Sequence, residues 1–193
     1  MNKRDQKKLL RIVSSVLIAV AIIFLQQQGI LPGSDTIDQA IENNTPGEYR
    51  VVKFDDGDTI AVDMQGKTET IRFIGVDTPE THDPRKPVQC YGKAASAFTK
   101  QAIGSGRVRL EADPKSGNRD RYDRLLRFVY LPDGTLLNYE LVKEGYGFAI
   151  TGFPHTKMDT FVNAETEAKS RSRGLWGNCR TEIIKGIIRT VPE

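Results

Sequence analysis

Two spacings of hydrophobic and polar positions organise residues 48–176. Residues 49–54, 59–64 and 70–74 have the short, β-branched, alternating character of strands, with a turn at Gln65-Gly66-Lys67. Residues 91–103 change to a helical period, with Ala94, Ala95, Phe98 and Ala102 on one side and Gly104 as the stop. Strands resume at 107–112 and 125–131, the second closed by the turn Pro132-Asp133-Gly134. Two helices follow. One covers 136–144 and ends at Gly145; the other covers 158–172, with Phe161, Ala164 and Ala168 inward and Gly174 as its stop. Strands first, one helix inserted among them and two helices last is the order of an α+β fold, not of a doubly wound parallel sheet. A small closed sheet with helices packed on it satisfies that order.

Ahead of this body the pattern is different. Lys3, Arg4, Lys7, Lys8 and Arg11 precede a largely apolar run over 12–25, which is how an export signal reads. The run is short for a spanning helix of about 20 residues, although Leu9, Leu10 and a snorkelling Arg11 extend it. No small-x-small cleavage site follows, so a retained signal anchor and a cleaved peptide both stand. In either case the basic end stays in the cytoplasm and the remainder is exported, secreted or membrane-anchored. Residues 33–47 are polar, with Gly, Pro and Asn, and read as a tether. The expected organisation is a signal peptide or signal-anchor helix (1–32), a flexible linker (33–47), one globular domain (48–178) and a C-terminal tail (179–193). The tail shows no pattern beyond a short apolar stretch, 183–188.

Charge changes the picture once the leader is set aside. The whole chain carries 28 Lys and Arg against 25 Asp and Glu, a formal net charge of +3. Five of those bases and one acid lie in 1–32, which leaves 23 against 24, a net of −1. A body of that balance binds nucleic acid, if at all, through local clusters rather than a global positive field. Lys86, Lys93, Lys115, Arg119 and Arg121 are candidates for such a rim. The two cysteines, Cys90 and Cys179, are an even number in an exported chain. A bridge between them would pin the C-terminal end onto the domain; the alternative is two unpaired buried thiols.

The candidate chemistry lies in Asp56-Gly57-Asp58-Thr59 and in Arg72-Phe73-Ile74-Gly75-Val76-Asp77-Thr78-Pro79-Glu80. Acids brought this close repel one another unless a cation joins them, and hard oxygen ligands suit calcium or magnesium. An arginine among them offers phosphate a flat fork of donors. A divalent metal and a phosphate in one site follow from these residue types. Taken singly, Asp-Gly and Asp-Thr-Pro are turn sequences, and Glu80 and His82 are ordinary loop residues.

Together the segments resemble the thermonuclease (staphylococcal nuclease-like) family. The resemblance is carried by Asp56-Gly57-Asp58-Thr59, Arg72 through Glu80, Tyr91-Gly92 with 95–100, Asp120-Arg121-Tyr122-Asp123-Arg124, Asn138 with Leu141-Val142 and Gly145, and Gly174-Leu175-Trp176. It covers about two-thirds of the chain and implies a five-stranded oligonucleotide-binding (OB-fold) barrel with three helices. It further implies a monomeric calcium-dependent endonuclease that hydrolyses phosphodiesters of single-stranded DNA and of RNA and leaves 3′-phosphate ends. Carried over by position, Asp58 and Asp77 and the Thr78 carbonyl hold Ca2+, and Arg72, Glu80 and Arg124 are catalytic. Asp56 is an acid beside the metal and Tyr122 lines the nucleotide pocket. Thr151 and Phe153 stand where some members carry tyrosines, and Asp123 stands where a glycine is common. The competing reading is a non-catalytic nucleic-acid-binding module on the same barrel.

Overall fold

The structure, a computed structural model, describes residues 47–81, 87–184 and 186–192 and isolated helical positions at 8, 15 and 25. The leader, the linker up to residue 46, His82 and Lys86 lie outside the described residues, apart from those isolated positions. Among the described residues no helix is long and apolar enough to cross a membrane.

From Gly47 on, the described residues belong to one compact unit. Its centre is a closed five-stranded barrel. The strands are β1 (Glu48–Asp56), β2 (Thr59–Met64), β3 (Lys67–Phe73), β5 (Arg107–Glu111) and β6 (Leu125–Tyr130), in the order β1-β2-β3-β6-β5. A short strand pair, β4 (Val76–Asp77) with β7 (Phe148–Ala149), lies outside the barrel. The helices are α1 (Gly92–Ile103), α2 (Leu137–Lys143), α3 (Met158–Ser170) and the single turn α4 (Leu175–Asn178). The α+β class and the five-stranded barrel agree with the order of elements in the sequence.

Local chemistry sets the barrel's register. Gln65 and Gly66 both have positive φ, 55° and 89°, so the two-residue turn has the twist that joins antiparallel strands without splaying them. The β2–β3 ladder then runs from Met64↔Lys67 to Thr59↔Arg72. Two register shifts in β1 bend that strand around the barrel. Closure comes from parallel pairing of β3 with β6, which sets Arg72 opposite Leu126. Ile60, Val62, Ile71, Phe73, Val108, Leu110, Leu125 and Val129 fill the core.

The inner face of α1 differs from the apolar stripe in the sequence. Gly92, Ala95, Thr99 and Ile103 are buried, while Ala94, Phe98 and Ala102 are only half-buried on its flank. The reason is a close approach to Gly57, where an added Cβ would lie 2.9 Å from the Ala95 Cβ and from Thr78. Thr99 belongs on this face because its hydroxyl donates to the Gly57 carbonyl (2.5 Å). The inner face of α3 is Phe161, Ala164 and Ala168, as the spacing predicts. Gly174 and Gly145 meet backbone to backbone: both have positive φ, and a Cβ on either would stand 2.3 Å from a carbonyl oxygen of the other segment. This contact seats Leu175, which is fully buried.

The tail is structured where the sequence shows no pattern. β8 (Thr181–Ile184) and β9 (Ile187–Thr190) form an antiparallel hairpin. Cys90 and Cys179 are joined by a disulfide across 89 residues of chain. A loop of that size is worth about 2–5 kcal/mol. Reduction is therefore expected to lower the melting temperature, and an unchanged melting curve in reductant would count against that contribution.

Asn138, fully buried on α2, bonds the barrel to the segment that carries the acids. Its Oδ1 accepts from Val129 N–H (2.8 Å), and its Nδ2 donates to the carbonyls of Ile74 (2.9 Å) and Arg127 (3.2 Å). Asn138→Leu removes these bonds and leaves buried backbone groups unpaired. It is expected to cost about 3 kcal/mol in urea unfolding, and a loss below about 1 kcal/mol would refute that role.

Candidate active site

The register of the β2–β3 hairpin decides which acids meet. Because Thr59 pairs with Arg72, Asp58 lies just beyond the ladder beside that arginine. The Phe73 N–H donates to the Asp58 carbonyl (2.9 Å) and fixes this corner. Asp77 reaches it through β4, whose pairing Asp77↔Phe148 holds the strand clear of the barrel.

Arg72 is the cation at the centre. Its Nη2 lies 2.6 Å from Asp77 Oδ1 and 3.2 Å from Asp58 Oδ2, and its Nη1 donates to the carbonyls of Val76 (2.6 Å) and Phe73 (3.1 Å). Those carbonyls aim the guanidinium, whose side chain is only 13 % exposed. Asp58, 5 % exposed, accepts from the Thr78 N–H (2.7 Å) and hydroxyl (3.0 Å) at Oδ2 and from the Thr59 hydroxyl (2.9 Å) at Oδ1.

A second pair of acids stands next to the first. Asp56 accepts from the Thr81 hydroxyl (2.9 Å) and, weakly, from its N–H (3.4 Å). It also shares a hydrogen bond with Glu80, which requires a proton on one of the two. Burial first, then that bond and the nearby Asp58 charge, push the Asp56 carboxyl up to about 7. Burial also raises Asp77, with Asp58 and Glu80 adding to it and Arg72 and Arg189 opposing it. Solvent limits the effect, because 45 % of the Asp77 side chain is open. Glu80 is held by Gln89, whose side-chain oxygen accepts from Glu80 N–H (2.7 Å) and whose N–H donates to the Glu80 carbonyl (3.0 Å).

Two carboxylates thus contact Arg72, two more stand next to them, and the proton shared by Asp56 and Glu80 marks the repulsion among close acids. A hard divalent cation fits such a cluster. Among the described residues no three metal-binding side chains are close enough to form a complete cage. Asp58 and Asp77 would therefore need a backbone carbonyl and water to fill the shell, a mixed oxygen set that calcium tolerates.

The other expected residues take their partners from a separate loop. Arg124 is held by Asp120, with Nε at 2.8 Å and Nη2 at 2.6 Å from Oδ2. Tyr122 is exposed and lies against the guanidinium groups of Arg121 (4.8 Å) and Arg124 (5.3 Å). The parallel pairing Ile71↔Leu125 brings this loop to the strand that carries Arg72.

The model of the family described as staphylococcal nuclease homologue matches residues 70–178. The chain belongs to the staphylococcal nuclease family. It is 38% identical to a thermonuclease of Staphylococcus hyicus over 164 residues, 84% of this chain and 95% of that one. It is 41% identical to a thermonuclease of Staphylococcus intermedius over 169 residues, 86% and 98% of the two chains. Endonuclease YncB of Bacillus subtilis is 46% identical over 123 residues, 63% of this chain and 57% of that one.

Family departures acquire physical meaning in the structure. Asp123 has φ of 63°, a left-handed conformation that favours glycine and that aspartate tolerates better than most residues. Thr151 and Phe153 are exposed, Phe153 at 75%. In the proposed rim, Arg119 is paired with Glu69 (2.9 Å). Reading by residue missed Gln89, which fixes Glu80, and Arg189, whose charge reaches Asp77. The signal that pointed to both was the Cys90–Cys179 pairing, because it draws the tail to the loop that follows Glu80.

The Asp56 shift has a defined sign. A carboxyl raised in the folded state binds a proton there that the unfolded chain has released, so stability falls as pH rises between about 4 and about 7. Without calcium, the protein is expected to be more stable at pH 5 than at pH 8 in urea unfolding. The Asp56→Asn variant should flatten that slope, and a slope unchanged in it would place the titration elsewhere.

Proposed function

We propose that this protein is a calcium-dependent nuclease that hydrolyses phosphodiester bonds of DNA and RNA without base specificity. The observation that carries the reading is the cluster of Asp58 and Asp77 on Arg72, with Asp56 and Glu80 next to it, on a family barrel. Relatives over most of the chain are named thermonucleases.

Asp58 and Asp77, with the Thr78 carbonyl, would hold the calcium, which neutralises phosphate charge and polarises the phosphorus. Arg72, aimed by two carbonyls, contributes fork donors to the phosphate oxygens as charge builds in the transition state. Arg124, held by Asp120, is the second cation for that charge. Glu80, oriented by Gln89, accepts a proton from water or aligns it for attack on phosphorus. The new bond joins water oxygen to phosphorus, the bond to the 5′ oxygen breaks, that oxygen leaves as a hydroxyl with a proton from solvent, and the phosphate stays on the 3′ side. Asp56 shares a proton with Glu80 next to these groups, and Tyr122 offers a face to a base. The protein acts as a monomer outside the cytoplasm, secreted or anchored by its apolar leader; a disulfide in the domain suits an oxidising compartment.

Purified protein is expected to degrade single-stranded DNA in calcium and to stop when calcium is chelated. Glu80→Gln and Arg72→Lys should keep the melting temperature within a few degrees and lower the rate about a hundredfold or more. Wild-type rates in both variants would overturn the site. A folded protein that binds the strand without cutting it would make the barrel a non-catalytic module.

A further inference from the structure

The nuclease reading leaves the C-terminal hairpin unused. β8 and β9 pair with each other and, among the described residues, join no barrel strand. Yet the hairpin is fastened beside the site at several points. Cys179 is bonded to Cys90. The Thr190 hydroxyl, on a residue only 1% exposed, donates to the Cys90 carbonyl (2.8 Å), and the Cys90 N–H donates to the Val191 carbonyl (3.3 Å). Pro192 forms a bridge with Gln89. Gln89 is the residue that grips Glu80 through both its backbone and its side chain. Two residues of the loop therefore separate the hairpin from Glu80.

Arg189 precedes the anchored Thr190 and is half-buried. Its charge is felt at Asp77. The opposing strand position is Glu182, an exposed residue. A fork of donors at the edge of a phosphate-binding site suits a phosphodiester better than a lysine would.

We propose that Arg189, presented by the disulfide-fastened hairpin, is a further substrate-binding cation that holds a backbone phosphate of the strand beside the scissile bond. The inference rests on the nuclease reading for its ligand. It assigns the tail a place in the site and makes substrate affinity depend on the Cys90–Cys179 bond.

The test compares full-length wild type, Arg189→Gln, Arg189→Lys, Cys179→Ser and the Arg189→Gln/Cys179→Ser double variant. Two readouts are used: cleavage of a single-stranded DNA oligonucleotide in calcium, and binding of the same oligonucleotide, labelled, by anisotropy with each change placed in a Glu80→Gln background. Arg189→Gln is expected to raise KM and Kd about tenfold, as loss of one charged hydrogen-bonding contact does, with a much smaller fall in kcat. The slope of log Kd against log salt should drop by about 0.7, one single-strand phosphate contact. Arg189→Lys should lose less. Cys179→Ser should reproduce the Arg189→Gln effect, and the double variant should be no worse than either. Unchanged Kd and salt slope in Arg189→Gln would overturn the proposal, and a loss confined to kcat would overturn it as well. Fully additive losses in the double variant would overturn delivery of Arg189 by the hairpin. If wild type binds the oligonucleotide and does not cut it, the nuclease reading fails while the Kd series still decides the role of Arg189.

Discussion

Crowding of negative charge is the constraint around which the rest of this structure is arranged. Asp56, Asp58, Asp77 and Glu80 lie close together, two of them on Arg72, and carboxylates packed this closely repel one another. Their mutual repulsion is contained in three ways: by burial of Asp58 under Thr78 and Thr59, by the proton that Asp56 and Glu80 share, and by the arginine. Such an arrangement is poised for a cation, because charge that is costly to hold alone becomes favourable once a hard ion joins it.

The fold supplies the rigidity this requires. Asp58 sits at the corner of a hairpin whose turn and register are fixed by two positive-φ residues, Gln65 and Gly66. Asp77 lies on a strand pair outside the barrel, and Asn138 bonds the segment before it to the barrel and to α2. α1 approaches so closely that only glycine fits at 57, between the two aspartates of the first acidic segment. The acids therefore come from different elements, each tied to a neighbour by backbone contacts, and the site does not depend on one flexible loop.

A different balance governs the C-terminal end. β8 and β9 are short, and Ile183, Ile184 and Ile187 are exposed, so hydrophobic burial does little to hold the hairpin. Covalent and hydrogen-bonded fastenings to Gln89 and Cys90 replace it. A two-stranded hairpin is marginal by itself in water, and this one takes its position from the loop it is joined to. That dependence ties the tail to Glu80 and to the disulfide.

The sequence by itself determined the α+β class, the barrel strands, the three main helices and the cluster of acids with Arg72, because these rest on local period, turn chemistry and close spacing along the chain. Tertiary structure decided the buried face of α1, since the close approach to Gly57 selects Thr99 over Phe98. It also decided the proton shared by Asp56 and Glu80, the grip of Gln89 on Glu80, and the place of Arg189. Each of these joins residues from separate elements: Asp56 is 24 positions from Glu80, and Arg189 is 112 from Asp77. Electrostatic and hydrogen-bonded partners at such separations are fixed by packing in three dimensions, and no pattern along the chain encodes them.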